Sequence, residues 1–279
     1  MEIREGIEIN RRTLMLLSVL ITIIVVFGFI GPKISKNPAK IYGARYGAPS
    51  WEHPLGLDFI GRDLFARFCA GFLGSLKIGA ICGLIGALLS VVIGGFSAYR
   101  GGIMDKGANL TMNVILSFPI ILILFAVASF LQTRTILGMG VLMGLFIWPG
   151  QGRAIRGQVL SLKERKFVDL SRMTGLGSVK ILFAEVIPNI LHYIGIVFVI
   201  SMQAGIIIEA NLSFLGIGPT NTITLGRMLY LARVNGAVSM WGAWWAFLPA
   251  GIMIGIFCTV LIFLQESMEE IFNPRAAGR

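Results

Sequence analysis

Charge is scarce in this chain. Only 14% of its 279 residues are Asp, Glu, Lys or Arg, against 56% apolar, whereas soluble globular domains carry about 25% charge. That leaves too little polar surface to hold a folded body in water, which excludes a soluble enzyme and a charged disordered tail. Cysteine is equally sparse. Cys69, Cys82 and Cys258 stand far apart with no C-x-x-C pair, so no disulfide framework follows from them. His53 and His192 are the only histidines, too few for a His/Cys metal cluster, and no metal site is expected. The chain has no G-x-x-x-x-G-K-[ST] and no Gly-Lys pair, hence no P-loop cradle for nucleotide phosphates. No nucleophile–base constellation is present either. The sequence reads as a non-enzyme with no catalytic residues.

What the chain has instead is long apolar runs, with a mean hydropathy of +0.81. A helix needs about 20 mostly apolar residues to cross a bilayer. The charge-free stretches Thr13–Gly31, Ile78–Tyr99, Gly107–Thr133, Thr135–Gly152, Val186–Ile208 and Val234–Gln265 predict six spans. The fold class expected is therefore all-α, a polytopic membrane protein. Pro119 predicts a kink in the third span, the fourth ends at Trp148-Pro149-Gly150, and the last includes loop residues before Trp241. The first is read as a retained span, since no small-residue cleavage site follows it. Trp241, Trp244 and Trp245 suit an outer aromatic belt. The pairs Gly79/Gly83, Gly140/Gly144 and Gly251/Gly255 are small-x-x-x-small faces for helix packing, some of them against a second membrane subunit.

The basic excess, 24 Lys and Arg against 14 acids for a formal +10, would suggest nucleic acid in a soluble protein. Here the charges lie between apolar runs, and topology explains them more simply. Arg4, Arg11 and Arg12, then Arg100 and Lys106, then Arg153 to Lys180, then Arg275 and Arg279 fall on one side if both termini are inside. Arg134, Arg227 and Arg233 fall outside. The long first loop carries Lys33, Lys36, Lys40, Arg45, Arg62 and Arg67 against that rule, which long loops obey weakly. Within the first loop, Asp58, Arg62 and Asp63 predict a local charge network that fixes the approach to the second span.

The connection Arg153–Pro188 is too long and too charged to be a simple turn. Phe167, Leu170 and Met173 or Thr174 recur at helical spacing, with Lys166, Asp169 and Arg172 on another face. Gly175 suits the left-handed position that stops a helix, and Ser178 suits the N-cap of a second one. Periodicity alone leaves two readings open, an interfacial helix on anionic lipid or a docking element for a soluble partner.

A resemblance favours the second. Phe167-Val168-Asp169-Leu170-Ser171-Arg172-Met173-Thr174-Gly175, followed by Ile187-Pro188, resembles the cytoplasmic "EAA" loop of ATP-binding-cassette importer permeases. His53–Asp63 (HPLGLDFIGRD), Trp148-Pro149-Gly150, Arg153, Arg156–Arg165 (RGQVLSLKER), Glu209–Gly218 (EANLSFLGIG) and Asn273-Pro274-Arg275 are similar, in order, to blocks of the dipeptide/oligopeptide and nickel permeases. The chain is identified on this basis as resembling their C-type subunit over residues 11 to 275. It departs from the pattern at Asp169-Leu170-Ser171, where Glu-Ala-Ala is usual, and at Leu225-Gly226, where Trp-Gly is common.

The resemblance implies a permease subunit of an ATP-driven importer for di- or oligopeptides, with nickel or another small solute as the alternative. A secondary transporter or channel is the reading from a different class. The implied partners are a sister permease (a heterodimer), two ATPase subunits, an extracytoplasmic binding protein and the bilayer, with no nucleic acid. ATP and Mg²⁺ would sit on the ATPases and no cofactor on this chain. Phe167, Val168, Asp169, Leu170, Ser171, Arg172, Met173 and Gly175 would form the ATPase-docking coupling helix between the fourth and fifth spans. Glu209 and Asn211 are the outer-vestibule candidates; Glu209 either lines a vestibule or makes a local structural pair or cap. Residues 1–71 would hold the cytoplasmic N-terminus, first span and extracytoplasmic loop. Residues 72–279 would form the core permease domain, with the coupling loop at 153–187, in a prokaryotic inner membrane.

Overall fold

A computed structural model describes residues 11–240 and 242–272. Arg4, Trp241, Arg275, Arg279 and the Asn273–Arg275 motif lie outside the described residues. Helices dominate and no named strand occurs among the described residues. In chain order they are α1 (Thr13–Ile34) and α2 (Leu64–Arg100), α3 (Gly102–Leu116), α4 (Ile120–Ser129), α5 (Ile136–Lys163) and α6 (Lys166–Met173). A broken helical stretch α7 (178–189) follows, then α8 (Leu191–Phe214), α9 (Leu225–Val234) and α10 (Leu248–Phe272).

Four helices, α1, α2, α8 and α10, are long and apolar enough to cross a membrane. The pair α3–α4 makes a fifth if counted as one span, but it bends by 82° at Ser117-Phe118-Pro119. Proline disfavours helix in the residue before it and has no N–H to give, so the expected kink is a full break. The six-span expectation thus differs from the four or five spans found by length and composition. The stretch expected as a fourth span continues to Lys163, straight past Pro149 and two arginines. α2 packs against it there, with Ser90 Oγ within hydrogen-bond distance of Trp148 O at 3.2 Å and of Gly86 O at 2.7 Å.

α2 begins fourteen residues before the expected Ile78, because Asp63 caps it, its Oδ1 accepting from Ala66 N at 2.7 Å. Lys77, which marked the expected boundary, is an exposed residue within the helix and can extend its head along the surface. α7 starts at Ser178 itself. Gly177 holds the N-cap position without a side-chain bond, so the expected Ser178 cap is corrected.

The body is built on α2, which makes its largest contacts with α5 and α8. Glycine sets the spacing. A Cβ on Gly94 would sit 2.5 Å from Gly152 O, a backbone atom that cannot swing aside. On Gly144 it would meet Ile85 Cβ at 2.6 Å, and on Gly205 Cys82 Cβ at 2.7 Å. Gly79 and Gly83 face Ile206, Met202 and Phe198 of α8 in the same way. The third expected pair differs: among the described residues Gly255 meets nothing within 4 Å and Gly251 only Leu229 at 4.0 Å, so that face of α10 is open among them. Around this core, Leu14, Ile21, Phe29, Leu84 and Leu122 remain exposed, as lipid-facing positions should be.

Replacing Gly94 by Ala should force α2 and α5 apart, at about 1–3 kcal/mol of overpacking. Thermal unfolding of the purified chain in detergent should show a clear drop in Tm. Gly107→Ala, where nothing lies within 4 Å, should leave Tm unchanged or slightly higher.

Candidate functional sites at the two ends of the helix body

The first site is α6. It lies outside the spans and is pinned by one residue. Val168 is fully buried beside Ile155 and Val159 of α5 and Ile181 of α7. Arg172 lies over the Tyr99 ring with Cζ 6.0 Å from its centroid. With Val168 inward, helical geometry turns Leu170 and Met173 outward, where they are 65% and 83% exposed, and Phe167 is exposed with them. Asp169 Oδ1 accepts from Arg172 Nη1 at 2.9 Å on the same surface. Gly175 follows at φ +79°, a left-handed value that a side chain would strain, and its N–H bonds Arg172 O at 3.0 Å. Ser171 is half-buried at the base. The site is a short helix with one internal anchor and an apolar outer face.

The second site lies toward the far end of α8, where Glu209 stands about 27 Å along the helix from Leu191 at 1.5 Å per residue. Glu209 is fully buried. Three hydroxyls from three elements enclose it. Ser213 Oγ and Thr224 Oγ1 donate to Oε1 at 2.5 and 2.6 Å, and Ser75 Oγ of α2 donates to Oε2 at 3.2 Å. The two outer hydroxyls of this set are themselves used again: Ser75 Oγ accepts from Leu225 N and Thr224 Oγ1 from Arg227 N, both at 3.1 Å. Glu209 therefore joins α2, α8 and the N-terminus of α9. It makes no ion pair with an arginine among the described residues. Asn211, two residues further along α8, is exposed.

Beside this cluster the 216–220 turn is held by two cations. Arg134 Nε donates to Gly218 O at 3.0 Å, and Arg227 Nη1 donates to Pro219 O and Thr220 O. These residues, with Ser213 and Tyr230, line an open cleft of about 200 Å³. Burial, then the nearby Arg134, holds the Arg227 pKa below the ordinary value.

The first loop closes over the same end. Asp58 accepts from Arg62 Nε at 2.8 Å and lies 3.3 Å from Arg67 Nε, while Asp63 lies 2.6 Å from His53 Nδ1 besides capping α2. Tyr46 OH and Arg45 both donate to Asn235 O, which fastens the loop to the end of α9. The sequence offered Asp58, Arg62 and Asp63 for this network but not His53 or Arg67. It likewise offered Glu209 without Ser75, Ser213 or Thr224. Serine and threonine in apolar helices carry no positional signal, and Ser75 is 134 residues from its partner.

Thr224→Val should remove both the Glu209 bond and the α9 cap. Losing a bond to a carboxylate and a cap should together destabilise by roughly 2–4 kcal/mol, seen as a lower Tm of the purified chain. Asn211→Ala, with no side-chain partner to lose among the described residues, should leave Tm within about 1 °C.

Residues 90–276 match the family described as "Binding-protein-dependent transport system inner membrane component". A Brucella ovis protein provisionally named a peptide permease is 32% identical over 234 residues, 84% of this chain and 76% of the relative. The glutathione transport system permease protein GsiD of Escherichia coli O1:K1 / APEC is 30% identical over 270 residues, covering 95% and 86%. A Brucella suis biovar 1 protein provisionally named a peptide transport system permease is 29% identical over 270 residues, covering 95% and 89%. The helical body, its apolar surface and these matches agree, and the chain belongs to the binding-protein-dependent transport system inner membrane components.

Proposed function

We propose that this chain is one of two sister permease subunits that form the pathway of an ATP-driven importer for di- or oligopeptides. An extracytoplasmic binding protein delivers the substrate, and two ATPase subunits, carrying ATP and Mg²⁺, dock on the cytoplasmic side. Peptide as the substrate class rests on the names of the relatives. In this reading α3–α4 and the first half of α5 complete six spans, both termini lie in the cytoplasm, and residues 72–279 act as the permease core.

The observation that carries the ATPase arm is the exposed face of α6. Phe167, Leu170 and Met173 stand outside every candidate span, with the Asp169–Arg172 pair beside them. An apolar helix face of this kind supplies anchors for a groove, and the charges orient it. Val168 ties the same helix to α5, so a push on α6 is delivered to the helix body. At the other end Asn211 and the Arg134–Arg227 cleft form the outer vestibule, and Glu209 acts behind them as a positioning residue for α8 and α9.

Leu170→Glu with Met173→Glu changes only exposed side chains, so the chain should still insert. ATPase recovered by co-purification should fall at least about tenfold, as loss of central anchors of 2 kcal/mol or more requires. Normal ATPase recovery with both substitutions in place would remove α6 as the docking element.

A further inference from the structure

A basic cleft of about 870 Å³ lies between the cytoplasmic end of α2, the end of α5, α6 and the start of α7. Its walls carry Arg100, Lys163, Arg172 and Lys180, one cation from each of the four elements, and none of its lining residues is acidic. The acid closest in sequence to these groups on α6, Asp169, is already bonded to Arg172. Lys163 Nζ donates to Ala98 O at the long distance of 3.5 Å, lies 5.7 Å from the Tyr99 ring centroid and is within electrostatic reach of Asp105, whose carboxylate is bonded to Arg156. Arg100 and Lys180 are exposed and make no ion pair among the described residues. Tyr99 is only 5% exposed, and its buried hydroxyl has no hydrogen-bond partner among the described residues.

Arg100, Lys163 and Lys180, with no ion pair among the described residues, and Arg172, shared with Asp169, together line a cleft that suits an anion with several acceptor oxygens. The depth of the cleft selects the source. Arg100 is the last residue of a candidate span, so the cations sit where a lipid headgroup lies. Beside them Val179 and Phe183 are 54% and 55% exposed, an apolar wall that a free phosphate would leave bare and an acyl chain would cover. Basic pockets between spans on the cytoplasmic side suit anionic headgroups. We propose that this cleft binds the phosphate headgroup of an anionic phospholipid, which thereby ties α6 and α7 to α2 and α5. The site does not depend on the peptide substrate, and of its four cations only Arg172 belongs to the proposed ATPase-docking helix.

The test uses the full chain in detergent, titrated with phosphatidylglycerol or phosphatidylcholine and followed by native mass spectrometry and thermal unfolding. The wild-type chain should retain phosphatidylglycerol at least about tenfold more strongly, since each Lys or Arg near an anionic headgroup contributes about 1 kcal/mol. Arg100→Gln with Lys180→Gln should lose that preference, while its Tm in phosphatidylcholine stays that of the wild type. Lys33→Gln with Lys77→Gln makes the same charge change away from the cleft and should keep the preference. The proposal is overturned if phosphatidylglycerol is not preferred, if the cleft variant keeps the preference, or if the control loses it equally. Full displacement of the lipid by excess inorganic phosphate would also overturn it, in favour of a soluble-anion site.

Discussion

Backbone contact at the crossing of α2 with α5 and α8 is the constraint on which the rest depends. Between helices in lipid there is no hydrophobic drive, so association rests on close packing and on polar contacts made at short range. Gly94 against Gly152, Gly144 against Ile85 and Gly205 against Cys82 permit that range. The interhelical bonds follow from it. Ser90 reaches Trp148 O across the α2–α5 contact, and Cys82 Sγ reaches Ser201 O at 3.4 Å across the α2–α8 contact. Ser75 meets Glu209 one stage further along the same pair. Each short polar side chain spans the gap only because no Cβ holds the backbones apart.

The same three helices connect the two ends of the molecule. α8 leaves the α7 stretch on one side and carries Glu209 on the other, while α5 runs unbroken from the apolar interior to the residues that enclose Val168. Under the proposed role, a movement of α6 is received by α5 and α7 and shared with α2 and α8 as rigid bodies. The break at Ser117–Pro119 separates α3 from α4, and α4 joins the core through Leu124 and Ala128, both fully buried. The open face of α10, with Gly255 unopposed among the described residues, contrasts with the filled glycine faces of α2 and α5.

Much of this was legible in the residues and some was not. Apolar runs located the helices, and Pro119 located the bend, because both signals are local. Helix lengths were misjudged wherever a charge was taken as a boundary: Lys77 sits inside α2, and Arg153 and Arg156 inside α5, since a long side chain carries its charge away from the backbone. Arg156 is further accommodated by a bidentate bond to Asp105 at 2.7 and 2.8 Å, a pairing across 51 residues that no spacing rule exposes. Pro149 read as an end because its rigidity is local, yet α5 continues through it to Lys163. On α6 the periodicity of Phe167, Leu170 and Met173 was plain, yet periodicity cannot say which apolar stripe faces inward. Val168, off that stripe, is the buried one.

The sequence by itself determined the solvent, the helical class and the family. These follow from composition, run length and ordered motifs, all properties of residues near one another in the chain. Only the tertiary structure decided the remaining partners: three hydroxyls for Glu209, Arg67 for Asp58 beside the expected Arg62, a backbone carbonyl opposite Gly94, and four cations lining one cleft. The longest of those pairings join Ser75 to Glu209 across 134 positions and bring Gly94 against Gly152. The distances that make them are set by how closely the helices pack, and a linear reading of residue types does not contain those distances.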